Sequence, residues 1–390
     1  MNIAIVFGGK SVEHDVSILT GLHAARHVMD GVNVHLVYLT RENCFLVGHC
    51  LSNPNYYING RGKVHKAFFR DGRLFRTGGI RGEVEVSKID CIVNCCHGGV
   101  GENGDLAGYF KVLGIPITSS DAFSAAKVMS KSFTREILAS SKGKERFLQP
   151  KFVTLRRSDF VGDIGKNISE IVKKIGLPAI VKPDTLGSSI GISVVKDMVE
   201  LESAIGVAFT MDDVVVVEQF LDNAAEINCA AFKSGEKIYV SVCEKIDKEK
   251  SFLDFDNKYM QEGGFVAKKS GGKQGEREEV IEPRFANVYK EIQSMTKRAY
   301  DLFGLKGVVR FDYLVTGIGD VENQDKNIKI YLNEANSVPG FLSYHLWHRA
   351  GMPYGLLIDK LVKHAVVDGG KDFTTKFKSD ILLKNRGLVE

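Results

Sequence analysis

The chain has 390 residues, 44% of them hydrophobic and 26% charged, and its 52 basic and 48 acidic residues leave a formal net charge of +4. This composition excludes a disordered or fibrous protein and is enough for two or three globular domains. Because the net charge is small and no basic stripe alternates with aromatic residues, we expect no nucleic-acid partner. Apolar runs such as 214–217 are far shorter than the ~20 residues that cross a bilayer, so we expect neither a membrane span nor a signal peptide. The seven irregularly spaced cysteines favour a reducing cytoplasm.

The first 120 residues predict a β-α-β beginning. A β-rich run at 3–7 ends at two glycines, and apolar residues at helical spacing then lead to a second run at 32–39. A third strand at 89–95 precedes another amphipathic helix. These elements predict an open parallel sheet with helices on its faces.

Two further regions complete an α/β fold of three domains. A helix at 124–138 and strands at 152–155 and 179–182 predict a central domain. The later segments alternate between strand and helix patterns, with strands at 226–232, 237–244, 308–315 and 329–334 and helices at 286–303 and 356–366. The predicted domain bounds are 1–120, 121–215 and 216–390. The glycine-rich, charged segment 262–279 predicts a mobile loop, which in compact domains is often a lid.

Two short motifs admit other functions. Residues 99–104 match G-x-G-x-x-G, which suits a NAD-dependent dehydrogenase, but the match follows a late strand and leaves the polar residues of the last 200 positions unexplained. Residues 187–191 match G-x-S-x-G, which would make Ser189 a hydrolase nucleophile. The β-branched segment that follows predicts a strand, whereas a nucleophile elbow requires a helix.

A lysine at the end of a buried strand predicts a phosphate site. Lys182 closes an apolar run and precedes a loop of small residues, DTLGSSIG. A buried lysine is costly unless it meets an anion, and a Gly/Ser loop offers N–H groups and hydroxyls to phosphate oxygens. Lys182 with residues 187–191 therefore predicts a nucleotide-phosphate clamp, with a plain hairpin turn as the alternative.

Polar residues two apart on each of two strands predict a metal site. Arg310 and Asp312 share one strand face, and Glu334 and Asn336 share another. Two carboxylates and an amide oxygen are ligands that Mg2+ takes together with substrate phosphates, and no Cys/His spacing indicates zinc. Arg310 is expected to stabilise a developing oxyanion or phosphoryl oxygen, and a salt bridge to Asp312 is the alternative.

Three other acidic residues stand at element ends. Glu218 and Glu226 are placed to meet the hydrogen-bonding groups of adenosine, or else are solvated carboxylates. Glu13 lies at a predicted helix start, where it either caps the helix or binds a substrate ammonium.

Seven segments in this order make the chain resemble the D-alanine:D-alanine ligase family of the ATP-grasp superfamily. They are FGGKSVEHDVSI, HGGVGENGDLAGYFKVLGIP, SAAKVMSK, VKPDTLGSSIGI, LDFDNKY, VVRFDYLV and YLNEANSVPGF. The resemblance runs from about residue 3 to 365. It implies a three-domain ATP-grasp fold that uses ATP to join two D-amino acids through an acylphosphate, giving D-alanyl-D-alanine for peptidoglycan.

The resemblance also implies residue roles. The ATP-binding residues would be Lys131, Lys182, Ser188, Ser189, Glu218, Glu226 and Lys258. Two Mg2+ ions, or Mn2+, would be held by Asp312, Glu334 and Asn336. The catalytic residues would be Glu13, Ser188, Tyr259, Arg310 and Gly340, with Glu13 holding the ammonium of the first amino acid and Lys258 and Tyr259 in a lid. The substrate-binding residues would be Glu13, His97, Ser343, His345 and Leu346.

The chain departs from the family's pattern at His345. The family usually has a serine there that binds the carboxylate of the second D-alanine. A histidine can still donate to a carboxylate but is larger and titratable, so we expect a pocket of different shape and pH response. The alternative is a packing histidine, with Ser343 binding the carboxylate.

The acceptor and the assembly remain open at this point. D-Alanine is the expected acceptor, and D-serine, D-lactate or a secondary-metabolite amine is the alternative. An alternative from another functional class is a nucleotide-binding protein without catalytic activity. We expect small-molecule substrates only, a homodimer and a cytoplasmic location.

Overall fold

The structure is a computed structural model that describes residues 1–78, 82–143, 146–160, 164–246, 285–318 and 328–369. Its strands form three sheets, in the orders β6-β5-β4-β3-β2-β1-β7, β10-β9-β11-β8 and β13-β12-β14-β15. The strands are β1 Asn2–Gly8, β2 Asn33–Leu39, β3 Phe45–Val47, β4 His65–Arg70, β5 Arg73–Thr77, β6 Glu83–Lys88, β7 Cys91–Asn94, β8 Phe152–Arg156, β9 Ala179–Pro183, β10 Ser193–Val195, β11 Val214–Gln219, β12 Ala225–Ser234, β13 Lys237–Ile246, β14 Val309–Thr316 and β15 Lys329–Asn336. The α-helices are α1 His14–His27, α2 Asn55–Asn59, α3 Asp105–Val112, α4 Ala122–Met129, α5 Lys131–Ser140, α6 Arg157–Phe160, α7 Ile164–Ile175, α8 Met198–Phe209, α9 Ala286–Leu302, α10 Tyr344–Arg349 and α11 Tyr354–Gly369.

The first sheet is mixed rather than parallel. Only β1 with its neighbours β2 and β7 pairs in parallel, while β2 to β6 pair antiparallel. The sequence analysis missed β3 to β6, which are short and joined by tight turns. Asp71-Gly72 connects β4 and β5 with both residues at positive φ, 49° and 71°, as a two-residue hairpin turn of the primed type requires.

The helix predicted at 124–138 is two helices that meet at Ser130. The Ser130 hydroxyl accepts a hydrogen bond from the Phe133 N–H at 3.2 Å and so caps α5. It also donates to Asp184 Oδ2 at 2.6 Å. The break makes Lys131 the first residue of a helix that points at the loop after β9.

The second sheet reaches further along the chain than predicted. Residues 214–219 form β11, which pairs with β8 and β9, so the domain boundary predicted after residue 215 falls inside a strand. Valine side chains made this run look like the start of the next region. The central sheet instead needs it as an inner strand.

The two faces of the third sheet differ around the predicted metal site. One face is buried under α9, and the other carries polar residues here but packs against the apolar core of α10 and α11 further along β12. Residues Ile227, Phe311 and Tyr313 are buried in one core with the inner side of α9. Since side chains alternate along a strand, their neighbours Asn228 and Asp312 lie on the opposite face, which we call the polar face. The predicted magnesium ligands therefore lie on the side away from α9.

The structure also bears on membrane-spanning helices, on the cysteines and on the fold class. None of the helices in the described segments is long and apolar enough to span a bilayer. All seven cysteines are free thiols. The α/β fold class predicted from the sequence is confirmed.

Gly21→Ala tests the packing of α1 on β1. A Cβ at residue 21 would lie 2.5 Å from the Phe7 ring, so we expect a loss of about 1–3 kcal/mol in the free energy of unfolding, measured in urea. Gly108→Ala in α3 is the control, because its Cβ would meet only Ala122 at 3.8 Å. It should be neutral or stabilise by up to about 1 kcal/mol, and equal losses in both variants would contradict the packing described.

Candidate active site

The loop between β9 and β10 is fastened to the start of α5. Asp184 Oδ1 accepts from the Ser132 N–H at 2.6 Å, while its Oδ2 binds Ser130. Lys131 Nζ donates to the Leu186 carbonyl at 2.6 Å and to the Asp184 carbonyl at 3.3 Å. Burial lowers the pKa of Lys131. The predicted phosphate loop thus has a lysine beneath it, held by the loop's own backbone.

The two serines of this loop lie in a tight turn. Ser188 and Ser189 have φ values of 52° and 58°, and strand β10 follows. No helix begins there, so the elbow of a serine hydrolase is absent from this segment. Ser188 instead donates to Glu13 Oε1 at 2.6 Å, across 175 residues of sequence.

Glu13 faces this loop from the N-terminal domain. It precedes α1 as its N-cap residue, but its side chain makes no capping hydrogen bond and is buried. The capping alternative is therefore wrong. The structure brings together two of the three residues predicted around the substrate ammonium, and the third, Tyr259, lies with Lys258 outside the described residues.

Glu218 is the centre of a buried network that joins the second and third sheets. Arg135 Nε donates to its Oε1 at 2.5 Å, and Lys182 Nζ donates to its Oε2 at 2.8 Å. Arg135 also donates to the Leu332 carbonyl at 2.8 Å, and Lys182 to Asn333 Oδ1 at 3.3 Å. Burial raises the pKa of the Glu218 carboxyl, but the two cations outweigh this and hold it well below its usual range. We call these residues the buried charge network.

This geometry changes the interpretation of Glu218. Its side chain is 1% exposed, so it is not a solvated carboxylate. Both of its oxygens already accept hydrogen bonds from Arg135 and Lys182. Contact with adenosine remains a prediction for Glu218, as it does for the half-buried Glu226.

Sequence reasoning missed Arg135 and Asn333. Arg135 is 1% exposed on α5, one helical turn after Lys131, and that i,i+4 pair of cations was the available signal. Asn333 occupies a shift in register between β14 and β15, which no sequence pattern announces. Its Oδ1 also lies 3.4 Å from Arg135 Nη2.

The predicted metal residues meet on paired strands of the polar face. Asp312 lies opposite Glu334, and Arg310 lies opposite Asn336. Arg310 binds Asp312 through Nε at 2.8 Å and Nη2 at 2.9 Å. The salt bridge considered as the alternative for Arg310 is thus present, and it places the guanidinium beside the acids.

One atom at this hairpin fits a cation. Asn336 Oδ1 is buried and has no hydrogen-bond partner among the described residues. No group of three or more His, Cys, Asp or Glu side chains in those residues has the spacing of a metal site. A metal here would rely on two carboxylates, an amide and the phosphates of a substrate, which is the usual mode for Mg2+.

His97 is tied into the protein by both ring nitrogens. The Val338 carbonyl can only accept, so Nδ1–H donates to it at 2.5 Å, and Nε2 accepts from the Thr20 hydroxyl at 2.7 Å. Thr20 Oγ1 in turn accepts from the Phe341 N–H at 3.1 Å. Burial lowers the pKa of His97, which keeps this neutral pattern. A substrate carboxylate would have to displace one of these bonds.

That network supports a strained turn at 340–343. Phe341, Leu342 and Ser343 have φ values of 48° to 52°, in the left-handed region that non-glycine residues rarely occupy. Ser343 is buried, and its hydroxyl has no hydrogen-bond partner in the described part of the chain. The side chain of Leu346 is fully buried in the apolar core, so the predicted substrate contact of Leu346 cannot come from its side chain.

Glu102 was not singled out from the sequence. It is buried, and its surroundings raise its pKa well above the usual value, first through burial and then through the nearby carboxylate of Glu13. Its Oε1 has no hydrogen-bond partner among the described residues. Burial thus favours the protonated form of Glu102.

The glycines of the G-x-G-x-x-G match serve packing. A Cβ on Gly101 would lie 2.3 Å from the Cys96 carbonyl oxygen, and one on Gly104 would lie 2.6 Å from the Ala122 backbone. Neither glycine is needed to admit a cofactor. The dehydrogenase alternative thus has no structural support here.

Comparisons with known proteins decide the family. Residues 2–120 match the family model described as D-ala D-ala ligase N-terminus, and residues 145–363 match D-ala D-ala ligase C-terminus. The D-alanine–D-alanine ligase of Thermosipho africanus is 31% identical over 97% of this chain and 96% of its own length. The chain belongs to the D-alanine–D-alanine ligase family. D-Alanine–D-alanine ligase A of Escherichia coli K12 is 29% identical over 94% of this chain and 96% of its own length.

Solved structures of this family share the fold. The D-alanine-D-alanine ligase from Coxiella burnetii has a TM-score of 0.73 at 19% identity, covering 100% of this chain and 99% of its own. The VanG D-Ala:D-Ser ligase from Enterococcus faecalis has a TM-score of 0.71 at 24% identity, covering 93% and 98%. The fold is thus shared with a protein that is named a D-Ala:D-Ser ligase.

Arg135→Met tests the buried charge network. It leaves Glu218 with Lys182 alone, so we expect a loss of about 3–5 kcal/mol in the free energy of unfolding, measured in urea. Arg73→Met is the control, since Arg73 forms an exposed pair with Glu85 and should cost no more than about 1 kcal/mol. Similar small losses in both variants would show that Arg135 contributes little to the free energy of unfolding.

Glu102→Gln tests the protonated carboxyl. A raised pKa in the folded state means that unfolding releases a proton above about pH 4.3, so this residue reduces stability as pH rises. The variant lacks this penalty, and its melting temperature relative to wild type should increase from pH 5 to pH 8. Glu170→Gln, on the exposed side of α7, provides the baseline. A difference that stays constant with pH would refute the assignment.

Proposed function

We propose that the chain is an ATP-dependent ligase that joins two molecules of D-alanine through an acylphosphate, for peptidoglycan synthesis. The observation that carries the proposal is the contact between Lys182 and Asn333. It places the lysine of the phosphate loop next to Glu334, the neighbour of Asn333 and a member of the acid pair. This contact supports a single site that combines the phosphate and metal sites predicted from separate parts of the sequence.

ATP would lie between the second and third sheets. Lys131 and Lys182 would bind its phosphates together with the loop that contains Ser188 and Ser189. Glu226, half-buried on the polar face at the start of β12, would meet the adenosine. Lysines can neutralise phosphate charge without geometric demands, while the loop supplies directed donors.

Asp312, Glu334 and Asn336 would hold the two Mg2+ or Mn2+ ions that the family implies. The buried, unpartnered amide oxygen of Asn336 between acids that face each other fits this role. When bound, the ions supply positive charge that offsets the phosphates of ATP. The salt bridge from Arg310 holds Asp312 in place.

The first amino acid would be held at the N-terminal domain. Glu13, itself held by Ser188, would bind its ammonium, and His97 lies behind it. An oxygen of its carboxylate would bond to the γ-phosphorus of ATP while the bond to the β-phosphate oxygen breaks and ADP leaves. Positioning of the two anions is the main requirement of this step.

The second amino acid would then complete the peptide bond. Its amine would attack the acyl carbon and lose a proton, and the bond from that carbon to the phosphate oxygen would break. Arg310 and the backbone at Gly340 would stabilise the oxyanion that forms on the carbonyl oxygen. The lid residues Lys258 and Tyr259, which are outside the described residues, would exclude water.

The proposal also covers the cellular compartment and the oligomeric state of the enzyme. We place it in the cytoplasm as a homodimer that acts on small molecules alone. Seven free thiols and a need for ATP support the compartment. An acceptor other than D-alanine is the second candidate, because His345 replaces the family's serine and VanG is titled a D-Ala:D-Ser ligase.

Arg310→Ala tests the reaction. We expect turnover to fall about 100- to 1,000-fold while ATP binding persists, since the guanidinium acts on the oxyanion. ADP release would be followed with D-alanine, D-serine, D-lactate and L-alanine in pairs, and ATP binding by calorimetry. Arg70→Ala, which removes an exposed arginine paired with Glu83, is the control and should be as active as wild type. Undiminished turnover in Arg310→Ala, or no release of ADP from wild type with any pair, would refute the proposal.

A further inference from the structure

The acidic pair of the active site is part of a longer row. Across the four strands of the third sheet, the register places Glu334, Asp312, Asn228 and Glu244 opposite one another in turn. Opposed residues in antiparallel strands project to the same face, so all four belong to the polar face. The row begins at β15, where Asn333 accepts a hydrogen bond from Lys182, and ends at β13.

The two ends of this row have different neighbours. Nucleotide contacts lie at its β15 end, because Lys182 and Arg135 reach β15 from the second sheet. Glu244 lies two strands beyond Asp312, at roughly 10 Å by strand spacing, on the side away from those contacts. A reactant that enters after ATP and the first amino acid would therefore meet the row at its β13 end, next to α10.

Glu244 is engaged by α10. His345 Nε2 lies 2.8 Å from Glu244 Oε2, and Arg349 Nη1 lies 3.5 Å from Oε1. Glu244 is buried, whereas the His345 side chain is 23% exposed. No hydrogen bond from a described residue is found at His345 Nδ1. The imidazole is thus fixed at one nitrogen while its ring still reaches solvent.

The chemistry of the pair decides what the other nitrogen can bind. The Glu244 carboxylate can only accept, so Nε2 carries a proton. In a neutral ring Nδ1 would then be a bare lone pair, which repels an anion. In the protonated ring Nδ1–H is a charged donor, which a carboxylate can accept from.

We propose that Glu244 is a positioning residue that holds His345 so that Nδ1–H binds the carboxylate of the acceptor. This inference rests on the proposed function and adds how the second substrate is recognised. The acceptor class is an amine or hydroxyl compound with a carboxylate one carbon away. In acceptor binding Glu244 acts through His345, while its ion pair with Arg349 fastens α10 to β13.

The experiment compares two nucleophiles in four proteins. The proteins are wild type, Glu244→Ala, His345→Ala and the double variant. D-Alanine carries a carboxylate and hydroxylamine carries none, and both convert the acylphosphate to a measurable product. For D-alanine as acceptor we expect Glu244→Ala and His345→Ala each to raise KM roughly 10- to 100-fold with kcat within about twofold.

The double variant tests whether the two residues act as one unit. Its acceptor KM should be no higher than that of the worse single variant, because Glu244 has no effect once His345 is absent. Hydroxamate formation should stay close to wild type in all four proteins. Additive effects on KM, or an acceptor KM unchanged in Glu244→Ala, would overturn the inference.

Controls separate this role from a structural one. Arg349→Gln removes the ion pair between Arg349 and Glu244 and should leave acceptor KM unchanged, although it weakens the attachment of α10. If Glu244→Ala does not fold, Glu244→Gln replaces it, and a raised KM with unchanged hydroxamate formation is still expected. A parallel loss of dipeptide and hydroxamate would assign Glu244 a structural role and overturn the inference. No hydroxamate and no dipeptide from wild type would contradict the proposed function itself.

Discussion

A carboxylate buried between an arginine and a lysine decides how two β-sheets of this molecule meet. Glu218 belongs to the second sheet, and both of its cationic partners also reach β15 of the third. Burying three charges is costly, and an apolar cluster of the same size would stabilise the interface at least as well. The charges instead fix the position of Lys182 beside the paired acids Asp312 and Glu334. A phosphate bound there would replace part of the contacts of Lys182.

The residues with a period-two pattern were the ones that sequence could place. Arg310, Asp312, Glu334 and Asn336 alternate with apolar residues, and the structure sets the two pairs opposite each other. Arg135 and Asn333 gave no such signal, because one resembles any surface cation on a helix and the other depends on a shift in strand register. For the same reason the antiparallel part of the first sheet was missed, since its strands are short and only half-buried. The contact between Glu13 and Ser188 spans two domains, and resemblance alone suggested it.

The far end of the site is where this chain differs from its family. A strained turn connects Gly340 to α10. Hydrogen bonds that involve Thr20 and His97 of the N-terminal domain hold this turn. In α10, His345 binds Glu244. In the proposed site, α10 lies on the acceptor side of the polar face, while the buried charge network holds the nucleotide side. Such a division allows one scaffold to keep its phosphoryl chemistry and vary the second substrate.

The most direct measurement is a crystal structure with Mn2+ and a non-hydrolysable ATP analogue, with the metal located by anomalous diffraction. The account requires the triphosphate beside Lys182 and the anomalous peaks within coordination distance of Asp312, Glu334 and the Asn336 amide oxygen. A nucleotide bound elsewhere, or metal peaks away from the β14–β15 hairpin, would contradict it.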